Sequence, residues 1–345
     1  MIYSRMRNLK YIAGIGAAVV LFSCGSKKSQ LPEIKPDIIT EHVKYDTDDP
    51  AIWINPEDAL QSIVFGTDKD TDGGIFAFDL EGKIIPEKSI PNIQRPNNVD
   101  LRYGFPVTDS TQTDIIAFTE RERKMLRIYS VPDMQPLDDG GFPVFADDAN
   151  EEFQYPMGVS LYKSAVDGAF YAIVGRKTGP LENYLYQYKI TTQSDSLVGF
   201  ELVRKFGNFS GKKEIEAIAV DDAMGFVYYS DEGDSVKKYY AEPSKGNEQL
   251  AAFGQEDFLE DIEGIAIAAY EDGSGMIIVS DQQQGQFNIY DRKTNELINV
   301  LNLTTTETDG CEAVTVPLND TFKNGLFVAM NDDGTFYYYD LGKLK

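Results

Sequence analysis

A chain of 345 residues that is 42% hydrophobic, with 29 Gly and 15 Pro, is long enough for a large core in one or two domains. Its 56 Asp and Glu outnumber 32 Lys and Arg, and a formal charge of −24 repels nucleic acid and anionic membrane surfaces. One histidine, His42, and two cysteines argue against a zinc site and against a Ser-His-Asp triad.

In chain order, Arg5, Arg7 and Lys10 precede an apolar stretch, Tyr11 to Phe22, that is too short to span a bilayer as a helix. It reads as an export signal. The stretch ends "LFSCGS", which resembles a bacterial lipoprotein signal with Cys24 as the lipidated residue after removal of residues 1–23. Loss of the three cations takes the formal charge from −24 to −27. Residues 24–37 have no periodicity and read as a polar tether. With Cys24 lipidated, Cys311 has no disulfide partner and is expected to be a small buried hydrophobe.

From residue 38 to 345 the chain consists of short Val/Ile/Tyr/Phe-rich runs separated by Gly, Asp, Asn and Pro, which predicts an all-β domain. One pattern recurs six times: an acid (replaced by Met157 in the third copy), an apolar run, a polar turn, then a second apolar run ending in charged or polar residues. The copies start at Asp49, Asp100, Met157, Glu216, Glu263 and Glu312, 47 to 59 residues apart, and each is followed by a third run such as "IFAFDL" or "TFYYYDL". Six such meanders predict a six-bladed β-propeller. The last copy lacks a fourth strand, and "DIITEHVKY" ahead of the first copy can supply it and close the ring. Trp53 is expected in the core, and "YYYD" (Tyr337 to Asp340) as a strand face.

In a propeller blade the start of the first strand and the end of the second lie on one face. That places Asp49, Asp100, Glu216, Glu263 and Glu312 around one channel mouth, with Asp261 on the same rim. The second strands add Lys69, Arg121, Arg176/Lys177, Asp231/Glu232, Asp281/Gln282 and Asn331/Asp332. Units one to three thus contribute cations and units four to six mostly carboxylates. Converging carboxylates need either protons or hard cations, and oxygen ligands in this number suit Ca2+. Lys69, Arg121 and Lys177 suit a phosphate. Metal and phosphate sites side by side are what phosphomonoester hydrolysis by a metal-activated water requires, with no protein nucleophile.

The chain resembles the β-propeller phytases over roughly residues 38 to 341. The segments that carry the resemblance are "DDPAIWINP" (Asp48 to Pro56), "NNVDLRY" (Asn97 to Tyr103), "DIEGIAI" (Asp261 to Ile267) and "IYDR" (Ile289 to Arg292), with "TDGCEAV" and "GLFVAMND" in the final blade. The resemblance implies a calcium-dependent, 3-phytase-like hydrolase acting on myo-inositol hexakisphosphate, with several calcium ions. By it, Asp49, Glu216, Glu232, Asp261, Glu263 and Asp309 hold calcium and the activated water, and Asp100 joins the rim. Glu216, Asp261 and Glu263 are the expected catalytic residues, Glu312 a further metal ligand. Lys69, Arg121 and Lys177 are expected to grip substrate phosphates. The chain departs from the family at Met157, where a Tyr is usual, at Glu120, where an Asn is common, and in "DTDDPAIW", a residue shorter than usual. A monomer at the bacterial cell envelope, periplasmic or on the cell surface, is expected, touching membrane only through its lipid anchor. Two other classes fit the same ring: a surface binding module with purely structural calcium, and a sugar-lactone or ester hydrolase. Only the phosphatase requires Lys69 and Arg121.

Overall fold

The computed structural model describes residues 29–108, 110–193 and 197–345. The export signal and Cys24 lie outside these residues. Among them, no helix is long and apolar enough to cross a membrane.

The six repeats fold as six four-stranded antiparallel sheets, the blades of a β-propeller. The inner strands are Thr47–Trp53, Pro96–Pro106, Pro156–Lys163, Ile218–Asp221, Ile262–Ala269 and Cys311–Val314. Blade six takes its outer strand from the N-terminal end of the chain, with Ile38 opposite Tyr338 and Ile39 opposite Tyr337. The seam continues through main-chain bonds from Thr40 N–H to the Phe336 carbonyl (3.0 Å) and from Val43 N–H to the Gly334 carbonyl (2.9 Å). Closure removes the open sheet edge that the last blade would otherwise expose. Upstream of the closing strand, Ile34 N–H donates to the Asn302 carbonyl of blade five and Asp37 N–H to the Tyr338 carbonyl of blade six, both at 2.8 Å.

Each strand alternates its side chains between the two neighbouring sheets, so the core is a ring of apolar seams rather than one central mass. Phe105, Ile115 and Leu126 of blade two meet Val159, Leu161 and Phe170 of blade three. Leu326, Val328 and Phe336 of blade six meet Ile52, Val64 and Phe78 of blade one. Trp53 is buried between blades one and two, its Nε1 donating to Asp114 Oδ2 at 2.8 Å. Cys311 is buried between blades five and six.

At one end of the channel the inner strands crowd together. A Cβ on Gly158 would stand 2.0 Å from the Glu216 carbonyl oxygen, and one on Gly264 2.9 Å from that of Asp309. Gly158, Gly264 and Gly310 at this level leave room for the preceding side chains of blades three, five and six to reach the mouth.

Candidate active site

Main-chain hydrogen bonds fix the register of all six blades at the mouth. The residue just beyond each second strand donates its N–H to the loop entering the same blade: Lys69 to Asp46 (2.6 Å), Arg121 to Arg95 (3.1 Å), Lys177 to Tyr155 (2.8 Å), Glu232 to Glu214 (3.0 Å), Gln282 to Asp261 (3.0 Å) and Asp332 to Thr306 (3.1 Å). The residue before each has a different task. Asp68 accepts the N–H groups of Tyr45 and Asp46, and Asp281 those of Leu259 and Glu260. Asp231 braces Ser210, and Asn331 braces Thr306. The pairs Asp231/Glu232 and Asp281/Gln282 named from the sequence therefore divide into a brace and a mouth residue, whereas Asp332 does not line the mouth.

Strand pairing fixes the inner ring. Pro50, Val99, Val159, Ile218, Ile265 and Cys311 are equivalent, lying opposite Gly66, Phe118, Val174, Tyr229, Val279 and Ala329. Two residues before each stand Asp48, Asn97, Met157, Glu216, Glu263 and Asp309. Asp49 is one place late in this register, and Asp100 and Glu312 are three places late. An odd shift along a strand turns a side chain to the opposite face. These three carboxylates accordingly line a separate channel cavity of about 370 Å3, and the expectation that they join the mouth is corrected. The mouth itself is a cavity of about 250 Å3 lined by Lys69, Arg121, Lys177, Glu216, Glu232, Asp261, Glu263 and Asp309, with Asp48 beneath Lys69.

Missed by sequence reasoning were Asp48, Glu214 and Arg95. The signal for register was the small residue that follows the mouth side chain in blades three to six (Gly158, Ala217, Gly264, Gly310), forced by the crowding of the inner strands. In blade one Asp49 occupies that place, and two adjacent acids left the choice open.

Three carboxylate groups have oxygens within 4.8 Å of one another: Asp48, Glu216 and Asp309; Glu214, Glu216 and Glu232; and Glu232, Asp261 and Glu263. Glu216 and Glu232 are each shared by two groups. Their Oε1 atoms, and Oε2 of Glu263, are buried without a hydrogen-bond partner. An unpartnered buried carboxylate oxygen is costly, and a hard cation satisfies it. The donor set therefore fits Ca2+, which takes oxygen ligands.

The electrostatics agree. Burial first, then the charges of Asp48 and Asp309, hold Glu216 well above the usual carboxylate range. Burial, then Glu216 and Glu232, do the same to Glu263. Burial and Glu214 push Glu232 up to about 8, and burial and Asp48 push Asp309 up to about 7. Asp48 is the exception. Burial is the largest influence and would raise it, but Lys69, 2.8 Å away, together with Asp309 and Arg121, outweighs burial and holds it below its usual value.

On the other side of the mouth, Arg121 is buried with its Nε unpartnered, one terminal nitrogen lying 2.7 Å from the Met157 sulfur. Arg95 joins it from a backbone position with φ of 56°. A non-glycine residue in that left-handed region is uncommon and persists only where its surroundings fix it. Here Asp70 and Arg121 bond its N–H and carbonyl. Glu120 does not enter the mouth: it pairs with Arg127 at 3.0 Å and with Arg123 at 3.2 Å.

The phytase family model matches residues 15–336. The chain is also 29% identical over 302 residues to a 3-phytase of Bacillus subtilis (strain 168), covering 83% of this chain and 74% of the relative. A match across nearly every blade, on a ring whose mouth sets carboxylate groups against cations, places this chain in the phytase family.

Proposed function

We propose that this phosphatase is calcium-dependent and releases phosphate from myo-inositol hexakisphosphate. One observation supports the reading above all: three adjoining carboxylate groups, with unpartnered shared oxygens, lie against Lys69, Arg95, Arg121 and Lys177 in one cavity. Asp48, Glu214, Glu216, Glu232, Asp261, Glu263 and Asp309 would hold the ions. Bound calcium supplies charge neutralisation on the phosphoryl oxygens and acidification of a water.

The chain's own groups do the rest. Arg121 presents a planar fork with free Nε–H to a phosphoryl group, and its burial strengthens that contact. Lys69 and Lys177 stand at the border between cations and carboxylates, where each can bond a phosphate oxygen while screening the acids behind it. Met157, 3% exposed, packs against the Arg121 guanidinium and keeps water from one side of it. Glu216 and Glu263 would place the attacking water by holding the ions that bind it, and their unpartnered oxygens are the ones those ions would satisfy.

Exhaustive chelation is expected to abolish phosphate release from the hexakisphosphate and to lower the melting temperature, with both restored by added calcium. Full activity after chelation would defeat the reading.

A further inference from the structure

Each of the three carboxylate groups holds one lysine ammonium. Lys69 bonds Asp48 and Asp309 in the first group, at 2.8 and 2.6 Å, Lys177 bonds Glu214 in the second, and Lys213 bonds Asp261 in the third. Lys69 and Lys177 are already assigned to substrate. Lys213 has no assigned role, yet its position relative to its carboxylates is the same.

Both oxygens of Asp261 already accept a hydrogen bond. Lys213 takes Oδ1, and Gln283 Nε2 donates to Oδ2 at 2.9 Å. A divalent cation seated on Asp261 would lie close to the ammonium on Oδ1, and like charges that near each other in a partly buried site repel strongly. A cation bound by Glu232, Asp261 and Glu263 must therefore move the Lys213 ammonium off Asp261. The displaced side chain cannot travel far, because its backbone is tied down on both sides. Lys212 N–H donates to Ser210 Oγ at 3.2 Å, the Glu214 carbonyl accepts from Glu232 N–H at 3.0 Å, and Ile215 is fully buried. The Lys213 side chain is 48% exposed, so its ammonium swings through solvent at the rim rather than through packed protein.

We propose that Lys213 is a displaceable counter-ion: cation binding at Glu232, Asp261 and Glu263 releases its ammonium, which then bonds a substrate phosphate on the acidic side of the mouth. Cation and substrate binding thereby reinforce one another, and the reinforcement is reciprocal, as any coupling between two ligands must be. Lys213 is thereby a substrate-binding residue. It adds a phosphate contact in the half of the mouth that otherwise repels polyanions.

This inference rests on the calcium-dependent reading, and its test separates the two. Lys213→Met removes the charge and keeps the length of the side chain, and Lys213→Arg keeps the charge. Calcium binding to the whole protein is followed by calorimetric titration and by thermal shift, and kinetics on the hexakisphosphate are measured at saturating calcium. An exposed ion pair contributes up to about 1 kcal/mol, or about fivefold. Lys213→Met is expected to bind calcium about fivefold tighter, since a competitor is gone. Its KM is expected to rise by about the same factor with kcat little changed, and Lys213→Arg is expected to restore KM. Opposite movements of calcium affinity and KM are not produced by loss of a structural surface pair. Wild-type calcium binding that Lys213→Met leaves unchanged, or tightens without raising KM, overturns the displacement. A wild-type protein that gives no heat and no thermal shift with calcium refutes the calcium reading and this inference with it.

Discussion

Two sets of buried carboxylates share the channel of this propeller, and their oxygens are treated differently. In the lower channel Asp100 accepts from Ser160 Oγ (2.7 Å), Leu161 N–H (2.8 Å) and Arg102 (2.8 Å), while Asp49 accepts from Val99 N–H (3.0 Å). Arg102 is paired again with Asp222. At the mouth Glu216, Glu232 and Glu263 each keep a buried oxygen with no donor, and carboxylates converge in groups of three. Burial and like charge raise pKa values in both places. Satisfaction separates Asp100 from the mouth acids: a carboxylate with donors to both oxygens belongs to the architecture, and carboxylates that converge with a buried oxygen left bare are arranged for a ligand.

The comparison breaks most sharply at Glu216, which belongs to two of the mouth groups. Glu216→Gln is isosteric and removes one shared anionic ligand. Phosphate release at saturating calcium is expected to fall on the order of 10^3-fold. In excess chelator the same variant is expected to be more stable than wild type by about 1–2 kcal/mol, because the carboxyl replaced is repelled by Asp48 and Asp309. Denaturant unfolding in chelator checks the sign. A variant less stable there would place Glu216 with the structural acids.

Asp100→Asn probes the other set. The change leaves Arg102 with a weaker partner in a buried network, and breaking such a network costs about 2–3 kcal/mol. Turnover per folded molecule at 25 °C is expected to stay within twofold of wild type, measured beside the unfolding curve. A large loss of turnover with little loss of stability would move Asp100 to the mouth.

How far the sequence carried this division depends on the element. Blade number and ring closure were legible because alternation of apolar residues recurs at intervals set by one four-stranded sheet, and because the last copy lacked a strand that the N-terminal segment could fill. The basic half was legible too: Lys69, Arg121 and Lys177 end second strands of similar build. Register at the inner strands was not. Thr47 to Pro50, Pro96 to Val99, Pro156 to Val159 and Ile262 to Ile265 each contain an irregularity in pairing, so counting from the apolar run misplaces the mouth. Asp49 and Asp100 were drawn into the mouth in this way, while Asp48 was passed over; in blade six, where pairing is regular, the likeness of "EAV" to "EAI" and "EGI" drew in Glu312 instead of Asp309. Asp309 was found only through family resemblance, since one extra residue separates it from its entering loop. Lys213 was invisible because nothing in a lysine's neighbours along the chain tells which carboxylate in space it will meet.

The smallest expected effect separates the two sets by pH. Glu312 opens only onto the channel cavity, where burial and then the charge of Asp100 push its pKa up to about 8, with Ala313 N–H and Arg102 opposing. An acid whose pKa is higher in the folded than in the unfolded protein contributes stability that is complete below the ordinary value of 4.5. That contribution is lost as pH rises towards and through 8, because the unfolded chain gives up its proton first. With calcium saturating, the mouth carboxylates stay ionised and contribute no such slope, so the remaining decline belongs to the channel. Water in the cavity screens the site, and the expected loss between pH 6 and 8.5 is about 1 kcal/mol rather than the full value of the shift. Glu312→Gln is expected to flatten that decline. In chelator both proteins regain a steeper one, from Glu232 and Asp309, whose raised values act with the same sign. Urea unfolding at the two pH values, with calcium and with chelator, reads all four slopes. An unchanged slope in calcium-loaded Glu312→Gln would show that the lower channel carries no titrating acid and that its donors satisfy Glu312 as fully as they do Asp100.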